Sequence, residues 1–177
     1  MTHENLQNMV LSIYPFSRGF AFVLFEGPDS PFDWGVKEIK QRHKDDKTLA
    51  EIKRIVDRYR PEALVIEDTS GKDPRRGSRI RKLYRMLVHF AQAEYIDLHR
   101  CSKAEVKTCF AAVGASTKYE IARAIAIQIP AFAHRMPRLR KVWMSEDPRQ
   151  SLFDAAALGL TYFARGMHGS CADDVSS

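Results

Sequence analysis

Apolar and polar positions change their period several times along the chain, and each change marks an element. Gly19 to Glu26, GFAFVLFE, is dense in aromatic and β-branched residues and closes on Gly27-Pro28-Asp29-Ser30-Pro31, a strong turn signal. With Val10 to Ile13 before it and Trp34 to Ile39 after it, this predicts an antiparallel meander of three strands. Asp45 or Asp46 can cap a helix to Arg60, whose apolar residues Leu49, Ile52, Ile55, Val56 and Tyr59 fall at helical spacing before Pro61 forces a stop. Ala63 to Glu67, ALVIE, is a continuous apolar run ending on a carboxylate, as in a strand covered on both faces. A helix over Ser78 to Ala93 carries Ile80, Leu83, Tyr84, Leu87, Val88 and Ala91 on one face and basic residues on the other. Tyr95 to Leu98 reads as a fifth short strand. Two capping boxes, Ser102-Lys-Ala-Glu105 and Thr117-Lys-Tyr-Glu120, open helices over Lys103 to Ala112 and Lys118 to Ile129. Pro130 to Glu146 reads as a loop, and Asp147 with Pro148 as the cap and first residue of a final helix reaching Ala164.

That order predicts an α/β protein with a mixed five-stranded sheet flanked by helices. At 177 residues the chain fits one domain, expected over 10–165, after a lead at 1–9 and before a tail at 166–177 expected to be disordered. The three cysteines, Cys101, Cys109 and Cys171, show no metal-ligand spacing and no disulfide framework, which points to a reducing, cytoplasmic setting. The polar start and the breaks at Arg123, Gln128 and Pro130 predict neither a signal peptide nor a membrane span. The six histidines lack ligand spacing, and Trp34 and Trp143 are expected in the core or an interface. Gly71 and Gly77 bracket a basic loop without the Gly-Lys-Ser/Thr ending of a P-loop.

Charge changes the picture more than composition does. The net charge is +6, yet Lys72 to Arg85 alone holds seven basic residues, Lys72, Arg75, Arg76, Arg79, Arg81, Lys82 and Arg85, against Asp73. A second run holds Arg135, Arg138, Arg140, Lys141 and Arg149. Two such clusters attract a polyanion, with an affinity that falls steeply with salt, so a nucleic acid is the expected partner. A solvated helix face is the plainer alternative.

The acids sit where such a sheet puts chemistry. Glu67 ends a buried strand at its C-terminal rim, and Asp154 lies within Ser151-Leu-Phe-Asp-Ala-Ala-Ala-Leu-Gly-Leu160, whose small residues suit close packing on a sheet. Together they suggest a shared metal site. The first strand departs from the pattern, with Tyr14 where a third carboxylate is expected. Asp68 would face the other side of its strand, and Asp147 lies about 10 Å along the helix axis from Asp154, so neither is a good replacement.

Taken in order, Leu11 to Arg18, Leu64-Val-Ile-Glu67, the stretch from Ser102 to Lys107 and on through Val113 to Lys118, and Asp154 to Leu160 resemble the RuvC-like Holliday-junction resolvases of the RNase H-like superfamily. The resemblance implies the RNase H-like fold and branched, structured DNA as substrate. It also implies an endonuclease whose four carboxylates hold two Mg²⁺ or Mn²⁺ ions, and a homodimer suited to two symmetric cuts. Glu67 and Asp154 match two of those carboxylates and would be both catalytic and metal-holding, whereas the other two positions read Tyr14 and Ser151. Lys107 and Lys118 match the family's paired-helix lysines and, with Lys72, Arg75, Arg76, Arg79 and Lys82, are the expected nucleic-acid contacts. Two readings follow: a metal-dependent endonuclease on branched DNA, or a DNA-binding derivative that has lost catalysis and needs no cofactor. The actin and sugar-kinase ATPases share the core, but their glycine-rich phosphate loops are missing here.

Overall fold

The computed structural model describes residues 8–40, 42–70 and 77–169, with the side chains of the last three excepted. Lys72, Arg75 and Arg76 therefore lie outside the described residues, as does most of the expected tail. Strands β1 (Val10–Phe16), β2 (Gly19–Gly27), β3 (Ser30–Glu38), β4 (Ala63–Glu67) and β5 (Asp97–Cys101) form one sheet in the order β3-β2-β1-β4-β5. The meander β1-β2-β3 is antiparallel, whereas β4 runs parallel to β1 and β5 parallel to β4.

Strand alternation divides the core between the two faces. Leu11, Ile13, Leu64 and Ile66 meet Ile52 and Val56 of α1 (Lys44–Tyr59) and Ile80, Tyr84 and Leu87 of α2 (Ser78–Ala93). Val10, Val23, Phe25 and Val65 meet α3 (Lys103–Ala111), α4 (Lys118–Gln128) and α5 (Gln150–Gly169). The small residues of α5 let it seat closely. A Cβ on Gly159 would come within 2.3 Å of the Phe25 ring, and that ring is wholly buried.

Both capping boxes form as expected, with the Ser102 and Thr117 hydroxyls accepting from the Glu105 and Glu120 N–H groups and the glutamates accepting in return. Several boundaries differ from expectation. Strand β1 continues to Phe16 through Pro15, because its ladder to β4 stops at Ser12 and Val65 and a residue without an N–H is tolerated on the side left unpaired. Strand β3 starts at Ser30, so the turn is tighter, and Pro31 sits on an edge strand beside a register irregularity. Helix α1 begins at Lys44 after His43 in a left-handed conformation, leaving Asp45 and Asp46 in the first turn, where acids favour the helix dipole.

Strand β5 is Asp97–Cys101 rather than Tyr95 to Leu98. Tyr95 has φ 55° and is 96 % exposed, closing the turn after α2. Part of the expected loop, Pro130–Arg135, is a 3-10 turn that buries Phe132 between Trp34 and Phe153. Asp147 caps as expected, its carboxylate accepting from the Arg149 N–H. Helix α5 proper starts at Gln150 instead of Pro148, because the first turn closes with tighter bonds from the Gln150 and Ser151 N–H groups to the Asp147 and Pro148 carbonyls, and it runs past Ala164 to Gly169. Trp34 packs inward, whereas Trp143 is 80 % exposed and so is no part of the core. Cys101 and Cys109 are free thiols, and no helix among the described residues is long and apolar enough to cross a membrane.

Candidate functional site

The site lies where the β1–β4 ladder stops. Its last pair is Ser12 with Val65, so two residues further along each parallel strand Tyr14 and Glu67 stand level, on the α5 side by alternation. Glu67 is 5 % exposed at the C-terminal rim. Asp154 approaches from the first turns of α5, and three lysines approach from the paired helices. Tyr14, Glu67, Asp154, Lys103, Lys107 and Lys118 line one hollow of about 120 Å³ over an apolar floor of Val106, Ile121, Ala157 and Leu158. The hollow adjoins an open cleft of about 550 Å³, walled by Tyr14, Phe16, Arg18, Arg79, Lys118, Glu146, Ser151 and Asp154. The two acids expected to act together thus share a hollow, with Tyr14 beside them. Ser151 faces only the adjoining cleft, and its hydroxyl donates to the Pro148 carbonyl at 2.6 Å.

Lys118 sets the electrostatics. Its ammonium lies 3.3 Å from Asp154 Oδ2, 2.6 Å from Glu146 Oε1 and 5.9 Å from the centre of the Tyr14 ring. Partial burial works against the charged lysine, but Asp154, Tyr14 and Glu146 outweigh it and hold the ammonium above its usual range. The Asp154 side chain is only 15 % exposed. Burial pushes its carboxyl above the usual carboxylate range, and Lys118 pulls it back only in part, helped by a 3.3 Å hydrogen bond from Gln150.

The donors present do not fit a two-ion centre. Among the described residues no three His, Cys, Asp or Glu side chains gather into a metal-binding group. A phenol stands level with Glu67, a hydroxyl stands one turn before Asp154, and Asp154 already faces a cation. A magnesium ion completes its octahedron with waters and substrate phosphates around one or two carboxylates, so Glu67 and an Asp154 already paired with Lys118 are fewer carboxylates than two ions would draw on.

The remaining expected contacts divide by what they touch. Arg79 is half-buried and braces the β1–β2 turn, donating to the Ser17 carbonyl at 2.9 Å and the Phe16 carbonyl at 3.3 Å, with Asp45 3.9 Å away. Lys82 is exposed in a recess with Lys40, Arg42 and Lys44, beside Asp45 and Asp46, which Arg79 links to the open cleft. Asp68 lies on the α2 side with Arg81 and Arg85, as strand alternation requires, and hydrogen bonds from Ser70 hold its carboxyl below the usual range. Asp147 pairs with Arg149 and is held low by that guanidinium. Sequence reasoning passed over Lys103 and Glu146. Lys103 could have been found, because the capping box puts it on the first turn of a helix that leaves the sheet rim. Glu146 gave no signal, since its role depends on a loop folding back to α4.

No protein-family model and no curated protein matches this chain. Solved structures do. Thermus thermophilus RuvC in complex with Holliday junction substrate has a TM-score of 0.66 at 16% identity, over 90% of this chain and 96% of that chain. A second Thermus thermophilus RuvC structure has a TM-score of 0.64 at 17% identity, over 90% and 96%. The yeast mitochondrial Holliday junction resolvase Ydc2 has a TM-score of 0.63 at 15% identity, over 92% of this chain and 81% of that chain. At such identities the likeness shows the fold: a RuvC-like arrangement of the RNase H-like sheet and helices.

Proposed function

We propose that this chain is a RuvC-like nucleic-acid-binding protein that grips branched DNA and has an ammonium in place of part of the two-metal site, with little or no phosphodiester hydrolysis of its own. The observation that carries this reading is the Tyr14 phenol level with Glu67, where the resemblance implies a carboxylate, in the same hollow where the Lys118 ammonium lies 3.3 Å from Asp154. Carboxylates facing the hollow repel a phosphate backbone. Lys118 neutralises one of them, and the exposed Lys103 and Lys107 make the rim positive, so the hollow accepts a polyanion without first taking up a divalent ion. The recess of Lys40, Arg42, Lys44 and Lys82 extends the basic surface, while Arg79 shapes the β1–β2 turn at the mouth of the cleft. The structural neighbours, one named as bound to Holliday junction substrate and another as a Holliday junction resolvase, support branched DNA as the ligand. A homodimer would match the two-fold symmetry of a four-way junction.

The test is a titration of labelled four-way, forked and linear DNA at stepped salt, in EDTA and then with Mg²⁺. Binding should favour the four-way junction, persist in EDTA and weaken linearly in log–log salt plots. Loss of binding in EDTA would mean that a metal bridges protein and DNA, against this reading. Absence of binding to any of the three DNAs would remove the nucleic-acid assignment altogether.

A further inference from the structure

The segment between the 3-10 turn and α5 combines features that neither the fold nor the hollow uses. Leu139, Val142, Trp143 and Met144 are all exposed, Val142 to 94 % and Trp143 to 80 %. Arg138, Arg140 and Lys141 are exposed among them, and the run from Arg135 to Ser145 contains no acid. This much apolar surface in water needs an occupant or a fold-back. The segment does not fold back to hide the indole. It turns on itself, with Met144 N–H donating to the Lys141 carbonyl at 3.0 Å and Arg140 Nε to the Met144 carbonyl at 2.5 Å, and Trp143 remains outward.

Its footing is fixed. Glu146 is tied to Lys118 of α4, Asp147 is tied to Arg149, and Glu146, Asp147 and Pro148 form one wall of the open cleft. The aromatic residue therefore lies three residues before Glu146, where the chain enters the wall of the proposed DNA-binding cleft, and is flanked by cations, with the Lys141 ammonium 5.3 Å from the centre of its ring. A protein partner would suit the apolar residues. A strip of cations around an exposed indole suits a ligand with a phosphate backbone and flat bases better, because stacking supplies contact area and the cations follow the phosphates.

We propose that Trp143 is a stacking platform for an unpaired base of bound DNA, with Arg138, Arg140 and Lys141 holding the phosphates on either side. This rests on the DNA-binding reading above and adds a preference for junctions and forks with unpaired nucleotides over continuous duplex.

The experiment compares the unaltered protein with Trp143→Ala and Trp143→Phe, on a fork with a single-stranded arm, a four-way junction and a continuous duplex. Tryptophan emission is followed during each titration. Trp34 is packed against Phe132 and gives a constant background, which the Trp143→Phe protein measures directly. The fork should quench Trp143. Trp143→Ala should weaken fork binding at least about fivefold, the lower end of base–aromatic stacking, and Trp143→Phe should keep most of the affinity. Duplex binding should be unchanged in both variants. Equal fork affinity for Trp143→Ala, with no quenching while binding persists, overturns the platform and leaves the DNA-binding reading standing. Failure of the unaltered protein to bind any DNA overturns both. Loss of self-association in Trp143→Ala, with DNA affinity intact, overturns it in favour of an interface between copies.

Discussion

The middle of α5 and its first turns belong to one helix, but they answer to different constraints. In the middle, Ala155, Ala156 and Gly159 lie against the sheet with no slack, because one added carbon at Gly159 would meet the Phe25 ring at 2.3 Å. The first turns carry Ser151 to the open cleft and Asp154 to both the cleft and the hollow. The middle fixes shape, and the fold needs that shape whatever the chemistry. The first turns fix chemistry, and a serine there is accommodated by bonding to the Pro148 carbonyl. Fold and site therefore rest on different residues, so a RuvC-like sheet can form with Tyr14 and Ser151 at positions where the resemblance implies carboxylates.

The largest expected effect strikes the middle. Gly159→Ala should lower stability by about 1–3 kcal/mol through overpacking, seen as a fall in the thermal unfolding midpoint, with DNA affinity of the folded protein intact. An unchanged midpoint would show that Phe25 can move and would weaken the contrast between the two parts of the helix. A smaller effect is expected at the first turns. Lys118→Ala should cost only about 0–1 kcal/mol, because the lysine side chain is 54 % exposed and its ion pairs are screened by water. The same change should increase Mn²⁺ binding measured by calorimetry, since Asp154 loses the cation that now neutralises it. Equal Mn²⁺ affinity in both proteins would show that Lys118 does not hold the place of an ion.

The smallest effect concerns the support of Lys118 on α4. Hydrogen bonds from the Ser116 and Thr117 N–H groups lower the Glu120 carboxyl from its ordinary value of 4.5 to about 2. A carboxyl lowered on folding stabilises the native state above its ordinary value, and that contribution disappears as pH falls from there toward the lowered one. Acid unfolding of the unaltered protein should steepen between about pH 4.5 and 2, and Glu120→Gln should flatten that limb. Identical acid limbs would show that the Glu120 cap adds no pH-dependent stability to α4.

Much of the fold was legible because strands and helices write their period into single stretches. ALVIE, the α2 stripe and the two capping boxes each specify an element without reference to distant residues. Misplaced boundaries arose where the sheet decides. Pro15 and Pro31 are tolerated by unpaired ladder sides, and β5 is a polar edge strand, Asp-Leu-His-Arg-Cys, whose pattern resembles a loop. In the site, Glu67 and Asp154 were legible from their neighbours. The pairing of Asp154 with Lys118 was not, because it joins residues on two helices whose approach depends on packing. Exposure of Trp143 was likewise unreadable, since composition favours burial of an indole and only the folded chain shows that its segment turns outward.

The most direct test is cleavage of a labelled four-way junction by the unaltered protein with Mg²⁺ or Mn²⁺, beside Tyr14→Asp combined with Ser151→Asp. The account predicts tight binding with no cutting, or a trace with Mn²⁺ alone, by the unaltered chain, and stronger metal binding with increased cutting by the double variant. Robust Mg²⁺-dependent cleavage by the unaltered protein, abolished by Glu67→Gln, would contradict it and make Glu67 and Asp154 part of a working metal centre.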